Sequence, residues 1–166
     1  RCVDPQSELS NSLMLKNSLL TKYGNKAFFY EIFGDKKVDD NISKNLLISK
    51  MSEKCNGYPP SFDLTLLGLG DDGHTASLFP YQKDNNADDL VIFNEGKGLK
   101  RISLTPKVLS ASSKIIFLVS GASKQLALKR LLDKDESQER TPSKLIKSSN
   151  QISIFCDEES SKELSI

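Results

Sequence analysis

Residues 62–80 read FDLTLLGLGDDGHTASLFP. The stretch opens apolar, with Leu64, Leu66, Leu67 and Leu69, and then passes through Gly68, Gly70 and Gly73. Pro59 and Pro60 stop any regular element ahead of it. A short apolar run between such breakers predicts a strand covered on both faces, as in a parallel sheet. Ligands of parallel α/β sheets bind beyond the carboxyl ends of the strands. The loop carrying Asp71, Asp72 and His74 is therefore the first place to look for chemistry.

His74 is the only histidine in 166 residues. Its side-chain type titrates near neutrality, at roughly pH 6.5 when unperturbed, which makes it the natural proton shuttle. Asp72 stands two residues earlier across Gly73 and orients the imidazole if the loop turns back. Residues 75–79 are expected to open a helix whose free N–H groups favour an anion or an oxyanion. The plainer alternative is a histidine that caps this helix or fills a surface niche.

GLGDDGHTASLFP resembles the signature of the 6-phosphogluconolactonases, in the superfamily that also holds the glucosamine-6-phosphate deaminases. Arg1-Cys2-Val3 and the later Ser10-Asn11 are similar to that family's Asp-Glu-Arg segment and its Ser-Asn. Arg101-Ile102-Ser103-Leu104-Thr105 resembles its Arg-Ile-Thr-Leu-Thr strand. FLVSGASK at 117–124 resembles its strand, glycine and lysine. The resemblance implies an α/β fold, a mainly parallel Rossmann-like sheet flanked by helices, in a single domain over 1–166. It implies hydrolysis of 6-phosphogluconolactone to 6-phosphogluconate, in the oxidative pentose phosphate pathway, with no metal and no cofactor. His74 and Asp72 are the implied catalytic pair. Arg1, Gly70, Gly73, Arg101 and Lys124 are the implied substrate-binding residues.

Two departures accompany the resemblance. Asp71 stands where the lactonases carry proline, adding a negative charge beside a site meant for an anionic substrate. The family's first strand and its Gly-Gly-Ser-Thr-Pro phosphate loop would lie ahead of Arg1, so the expectation is a domain lacking roughly its first quarter to third. Weak or no turnover is the corresponding expectation for these residues alone. Three rival readings are weighed against hydrolysis. The deaminase branch carries Gly-His-Ile-Ala-Phe-Asn-Glu-Pro, and Phe79 occupies the place of its working glutamate. A non-catalytic sugar-phosphate-binding or interaction module fits a larger polypeptide, since the family also occurs fused to glucose-6-phosphate dehydrogenase. A nucleotide-binding domain is suggested by Gly68, Gly70 and Gly73, which spell GxGxxG, but the ribose-binding acid expected ~20 residues on falls in a polar loop at Asp88 and Asp89.

Composition narrows the partners. Lysine and arginine number 23 against 22 acidic residues, a net charge of +1, which argues for no nucleic-acid or membrane-surface partner. Cys2, Cys55 and Cys156 are odd in number and far apart, so neither a disulfide framework nor a zinc site is expected. A reducing, cytoplasmic compartment follows from that usage. No apolar run approaches the ~18 residues of a membrane span.

Along the rest of the chain, Leu9, Leu13, Leu15, Leu19 and Leu20 predict a helix over 8–22, capped by Ser7 or Ser10, with its stripe in the core. An aromatic strand is expected over 27–33, also filling core, and a helix over 40–54 through Ile42, Leu46, Leu47 and Met51. With the central strand these form a βαβ unit. Residues 81–89 read as a surface loop. Strands are expected over 90–93 and 100–104, joined by the turn at 95–98, and a helix over 106–111 with Thr105 as N-cap. KIIFLVS at 114–120 predicts a second buried strand, followed by Gly121 and a helix over 122–132. Lys124 in that helix's first turn opposes its dipole, which suits an anionic partner. A solvated connector over 133–141, a helical turn, a final strand over 151–156 and a closing helix complete the reading.

Overall fold

The computed structural model describes residues 1–32, 39–86 and 88–164. Three strands form a parallel sheet in the order β1-β4-β5: β1 is Thr65–Gly68, β4 is Ile115–Val119 and β5 is Ile152–Cys156. Leu67, Phe117 and Ile154 share one register line across it. A separate antiparallel hairpin pairs β2, Val91–Gly96, with β3, Leu99–Leu104. Lys97 and Gly98 turn this hairpin, both with positive φ, as the two central residues of a tight primed turn require.

Among the described residues six helices, all but one of them short, flank these strands. They are α1 (Asn11–Leu15), α2 (Thr21–Tyr23), α3 (Asp40–Lys54), α4 (Pro106–Ser110), α5 (Gln125–Leu132) and α6 (Glu158–Ser161). A π-helical turn, Lys16–Leu20, joins α1 to α2. The inner face of the parallel sheet packs Leu67, Ile115, Phe117 and Val119 against Leu78, Leu109, Ala127, Leu128 and Ile146. A second cluster, with Met51, Val91, Ile102 and Val108, joins α3 to the hairpin. These two apolar clusters set the loop after β1 between the sheet and the hairpin.

The α/β class with a parallel sheet matches the expectation, and α3 spans the residues its periodicity predicts. Four local expectations fail. The helix expected over 8–22 starts instead at Asn11, because the Ser10 hydroxyl accepts the Leu13 N–H and caps it there. Its stripe is not core, for Leu9 and Leu19 are exposed and Leu13, Leu15 and Leu20 are only half-buried. Residues 27–32 form no regular element, pair with no strand among the described residues, and leave Phe28 92% exposed; Phe33 lies outside the described residues. A strand needs a ladder partner for its backbone groups, and the described residues put none beside this segment. Thr105 is the N-cap of α4 and Pro106 opens the helix, as read, but the Thr105 hydroxyl donates to the Asp89 carbonyl at 2.7 Å instead of accepting a helical N–H.

The fourth failure concerns the sheet itself, which is covered on one face only. Leu66, Leu118 and Phe155 point away from the core and are 56%, 52% and 61% exposed. Alternate residues of a strand face opposite ways, so a continuous apolar run gives buried sites on both faces only where two layers are present. Among the described residues a single layer packs on this sheet.

Candidate active site

The loop after β1 closes on itself. Gly70 donates its N–H to the His74 carbonyl at 2.8 Å, and Gly73 donates to the Gly70 carbonyl at 3.0 Å. Gly73 has φ +92°, and a Cβ there would lie 3.1 Å from the Thr141 methyl, so glycine serves both the turn and the close approach. Thr141 is fully buried, and Ser143 beyond it donates to the Gly73 carbonyl at 3.1 Å. The predicted helix over 75–79 is absent. Ala76 takes φ +49°, and Thr75 pairs with Leu78 as an isolated bridge, so the chain makes a tight turn there. The helix dipole invoked for an oxyanion therefore does not exist at this position.

This turn folds Asp72 back onto His74. The carboxylate Oδ1 lies 2.6 Å from His74 Nδ1 and also accepts the His74 backbone N–H at 3.0 Å. Burial raises the Asp72 pKa, but the His74 backbone and side-chain hydrogen bonds, with the charges of His74 and Lys97, outweigh it and leave the group below its ordinary value. Asp72 thus stays a carboxylate near neutral pH. Gly70 makes room for the pair, since a Cβ there would lie 2.0 Å from Nδ1. The imidazole stacks on Phe79, with centroids 4.5 Å apart.

Arg101 reaches the same place from β3. Its guanidinium is buried, lies 5.2 Å over the Phe79 ring, and donates from Nε to the Gly96 carbonyl at 3.1 Å. Among the described residues no carboxylate pairs with it. Burial and then the charge of Arg1 push its pKa down from the ordinary value, and a guanidinium remains charged all the same. Arg1 donates to the Leu9 carbonyl at 3.1 Å. With Ser10, Asn11, Ser77 and Ser103 it lines a cavity of about 420 Å³ beside the loop. His74, Arg101 and Lys124 are not in the wall of that cavity. The two arginines are thus near one another, with Arg1 at the cavity and Arg101 at the aromatic stack.

Lys124 follows Gly121, whose φ of +95° ends β4. Its charge contributes to lowering the Asp71 pKa, after the hydrogen bond and charge of Lys97, so it belongs to the same rim. Asp71 turns to solvent and pairs with Lys97 at 2.8 Å. That contact explains how an acid is accommodated at this position: the hairpin tip neutralises it. Lys97, Asn85 and Thr141 are not legible in the sequence as site residues, and Phe79 is legible only as the residue at the place of the deaminase glutamate. The only sequence signal for the first was the Glu95-Gly96-Lys97-Gly98 turn, and Asn85, placed in a surface loop by its polar neighbours, is buried.

Asp157 organises the turn before Lys124. It accepts from the Ser120 hydroxyl, from the Ser160 N–H at 2.9 Å and from the Gly121 N–H at 3.0 Å. These hydrogen bonds, Ser120's first, hold its carboxyl far below the ordinary 3.8. A depressed folded pKa means stability that is present above the unfolded value and lost as pH falls toward the folded one. Asp157→Ala is accordingly expected to lower Tm at pH 7, with the gap to the parent chain narrowing below pH 3.8; thermal melts across an acid series measure it.

The arrangement defines a class: a parallel α/β domain with a carboxylate-held histidine at a strand's carboxyl end and cations around it. The family description "Glucosamine-6-phosphate isomerases/6-phosphogluconolactonase" matches residues 1–154, and the chain belongs to this family. It is 36% identical over 109 residues to a 6-phosphogluconolactonase of Synechocystis sp., covering 65% of this chain and 45% of that protein. It is 31% identical over 172 residues to a 6-phosphogluconolactonase of Nostoc sp., covering 100% of this chain and 71% of that protein. The chain therefore spans between about half and about seven tenths of the length of these relatives. The crystal structure of devB protein superposes with a TM-score of 0.85 at 28% identity, over 99% of this chain and 71% of that one. Among the described residues no helix is long and apolar enough to cross a membrane.

Proposed function

We propose that this chain carries the catalytic loop of a 6-phosphogluconolactonase, hydrolysing 6-phosphogluconolactone to 6-phosphogluconate. The observation that carries the reading is the 2.6 Å contact between Asp72 and the Nδ1 side of His74. With Nδ1–H donated to the carboxylate, Nε2 is left unprotonated and free to accept a proton. Nε2 takes a proton from water as its oxygen bonds to the lactone carbonyl carbon. The tetrahedral intermediate then breaks its bond to the ring oxygen, and the imidazolium returns the proton to that oxygen. Water is added across one ester bond, and the carboxylic acid formed ionises.

Arg101, Arg1 and Lys124 supply positive charge for the phosphate and the sugar oxygens, with Arg101 suited to a bidentate grip. Gly70 and Gly73 allow the substrate and the Asp72–His74 pair to approach closely. No step in this scheme calls for a metal or an organic cofactor. A phosphorylated sugar acid does not cross bilayers unaided, and on that ground we place the protein in the cytoplasm, within carbohydrate metabolism. Phe79 at the position of the deaminase glutamate supports hydrolysis over deamination.

The bare sheet face at Leu66, Leu118 and Phe155 favours a second reading, in which residues 1–166 form one domain that works as a module of a larger polypeptide, a dehydrogenase fusion included. A lactone-hydrolysis assay, corrected for the spontaneous reaction and paired with the intact mass of the natural protein, separates the two. Turnover above background supports the enzyme. Its absence in the full-length natural protein, with sugar-phosphate binding retained, supports the module.

A further inference from the structure

Phe79 enters no step of the mechanism above, yet its surroundings are those of a site rather than of a core. It is 5% exposed and belongs to neither apolar cluster. Its ring meets an imidazole, a guanidinium and a glycine backbone instead. His74 stacks on it with the ring planes inclined by 30°, and the Arg101 cation lies over it. A Cβ on Gly96 would come within 2.2 Å of the phenyl, so the ring lies close against the Gly96 backbone and only a glycine there leaves it room.

We propose that Phe79 is a positioning residue that fixes the plane of the His74 imidazole; this rests on the reading of His74 as the proton-transferring base. The hydrogen bond from Nδ1 to Asp72 constrains one edge of the imidazole and leaves the tilt of its plane, set by the side-chain torsions, to its packing. Stacking on the Phe79 ring limits that tilt and keeps Nε2 aimed in one direction. The same ring keeps the Arg101 cation at a set place beside the dyad.

The backbone around Phe79 is built to hold it still. Its carbonyl accepts from Asn85 Nδ2 at 2.6 Å, and Asn94 Nδ2 donates both to the Ser77 carbonyl at 2.8 Å and to Asn85 Oδ1 at 3.0 Å. Both asparagines are buried. On the other side, the Ser77 N–H donates to the Ser103 hydroxyl at 3.1 Å. A buried polar network of this kind favours one arrangement of the turn over its neighbours.

Because His74 is the sole histidine, long-range 1H–15N correlation spectra of the labelled chain report its two ring nitrogens without overlap, whether or not the preparation turns over substrate. The parent chain is expected to show the neutral ring protonated at Nδ1, with its carbon-bound protons shifted upfield by the Phe79 ring current. Phe79→Leu removes the stack, and Gly96→Ala displaces the phenyl while leaving it in the chain; Gly96→Ala carries the test if Phe79→Leu does not fold. Each variant is expected to keep Nδ1–H, which the Asp72 carboxylate sets, and to lose the upfield shift of the ring protons as the imidazole plane is released. In the active full-length protein each is expected to lower kcat about ten- to hundredfold with KM within about twofold. Absence of the upfield shift in the parent chain, or a Gly96→Ala variant that keeps both that shift and the parent's kcat, would overturn the proposal. Comparison with His74→Ala separates the two readings: full activity in that variant sinks the base assignment, while the ring-proton spectra still judge Phe79.

Discussion

Replacement of His74 by alanine is expected to lower kcat for lactone hydrolysis by about 10²–10⁴-fold, the usual contribution of a positioned general acid–base group. The chain has no second histidine to take over. Arg101 is a guanidinium, which stays charged and cannot accept a proton from water, and Asp72 is held as a carboxylate against Nδ1, away from Nε2. The side chain of His74 is 19% exposed, and its removal leaves the Gly70–His74 backbone hydrogen bond in place, so the folded loop is expected to survive. The measurement is initial rate against pH, with the uncatalysed reaction subtracted at each point because lactones open spontaneously. A variant with the parent's kcat would remove His74 from the mechanism and leave the loop as a binding element only.

Gly70→Ala is expected to be nearly as damaging, through geometry rather than chemistry. The new Cβ would sit 2.0 Å from His74 Nδ1, 2.3 Å from Cε1 and 2.7 Å from Asp72 Oδ1. All three are impossible contacts, and they fall on the hydrogen bond that holds the base. Unlike Gly73, Gly70 is not in the left-handed region, so the backbone accepts alanine and the strain lands on the side chains. The imidazole must rotate away, and a misplaced base of this kind costs about a hundredfold in kcat. The fold is expected to lose no more than the ~1–3 kcal/mol of an overpacked site. Urea denaturation and steady-state kinetics on the same preparation separate the two effects. A loss of stability with kcat intact would show that the loop, rather than the imidazole, gives way.

The two glycines also show what a sequence conveys about a site. Gly70 and Gly73 are legible as a turn because glycine is required wherever the chain bends sharply or is closely approached. The partners that make them necessary are of different kinds. His74 is four residues from Gly70, whereas Thr141 reaches Gly73 from a connector that reads as solvated, charged sequence. The same division runs through Asp71, whose sequence position suggests an awkward charge and whose structural partner, Lys97, is 26 residues away.

The sequence alone determined what depends on near neighbours: the α3 helix from its period, the strand β4 from an unbroken apolar run, and the Asp72–His74 pair from a spacing that one turn closes. Such features form through contacts within a few residues, where propensity and turn chemistry act directly. Only the tertiary structure decided that residues 75–79 turn rather than coil into a helix, that Phe79 stacks on His74 beneath Arg101, and that one sheet face and Phe28 remain exposed. Each of these depends on which distant segment arrives to supply a hydrogen bond or an apolar surface. A hydrophobic pattern states that a face seeks cover, but the presence of the covering layer is a property of the assembled fold.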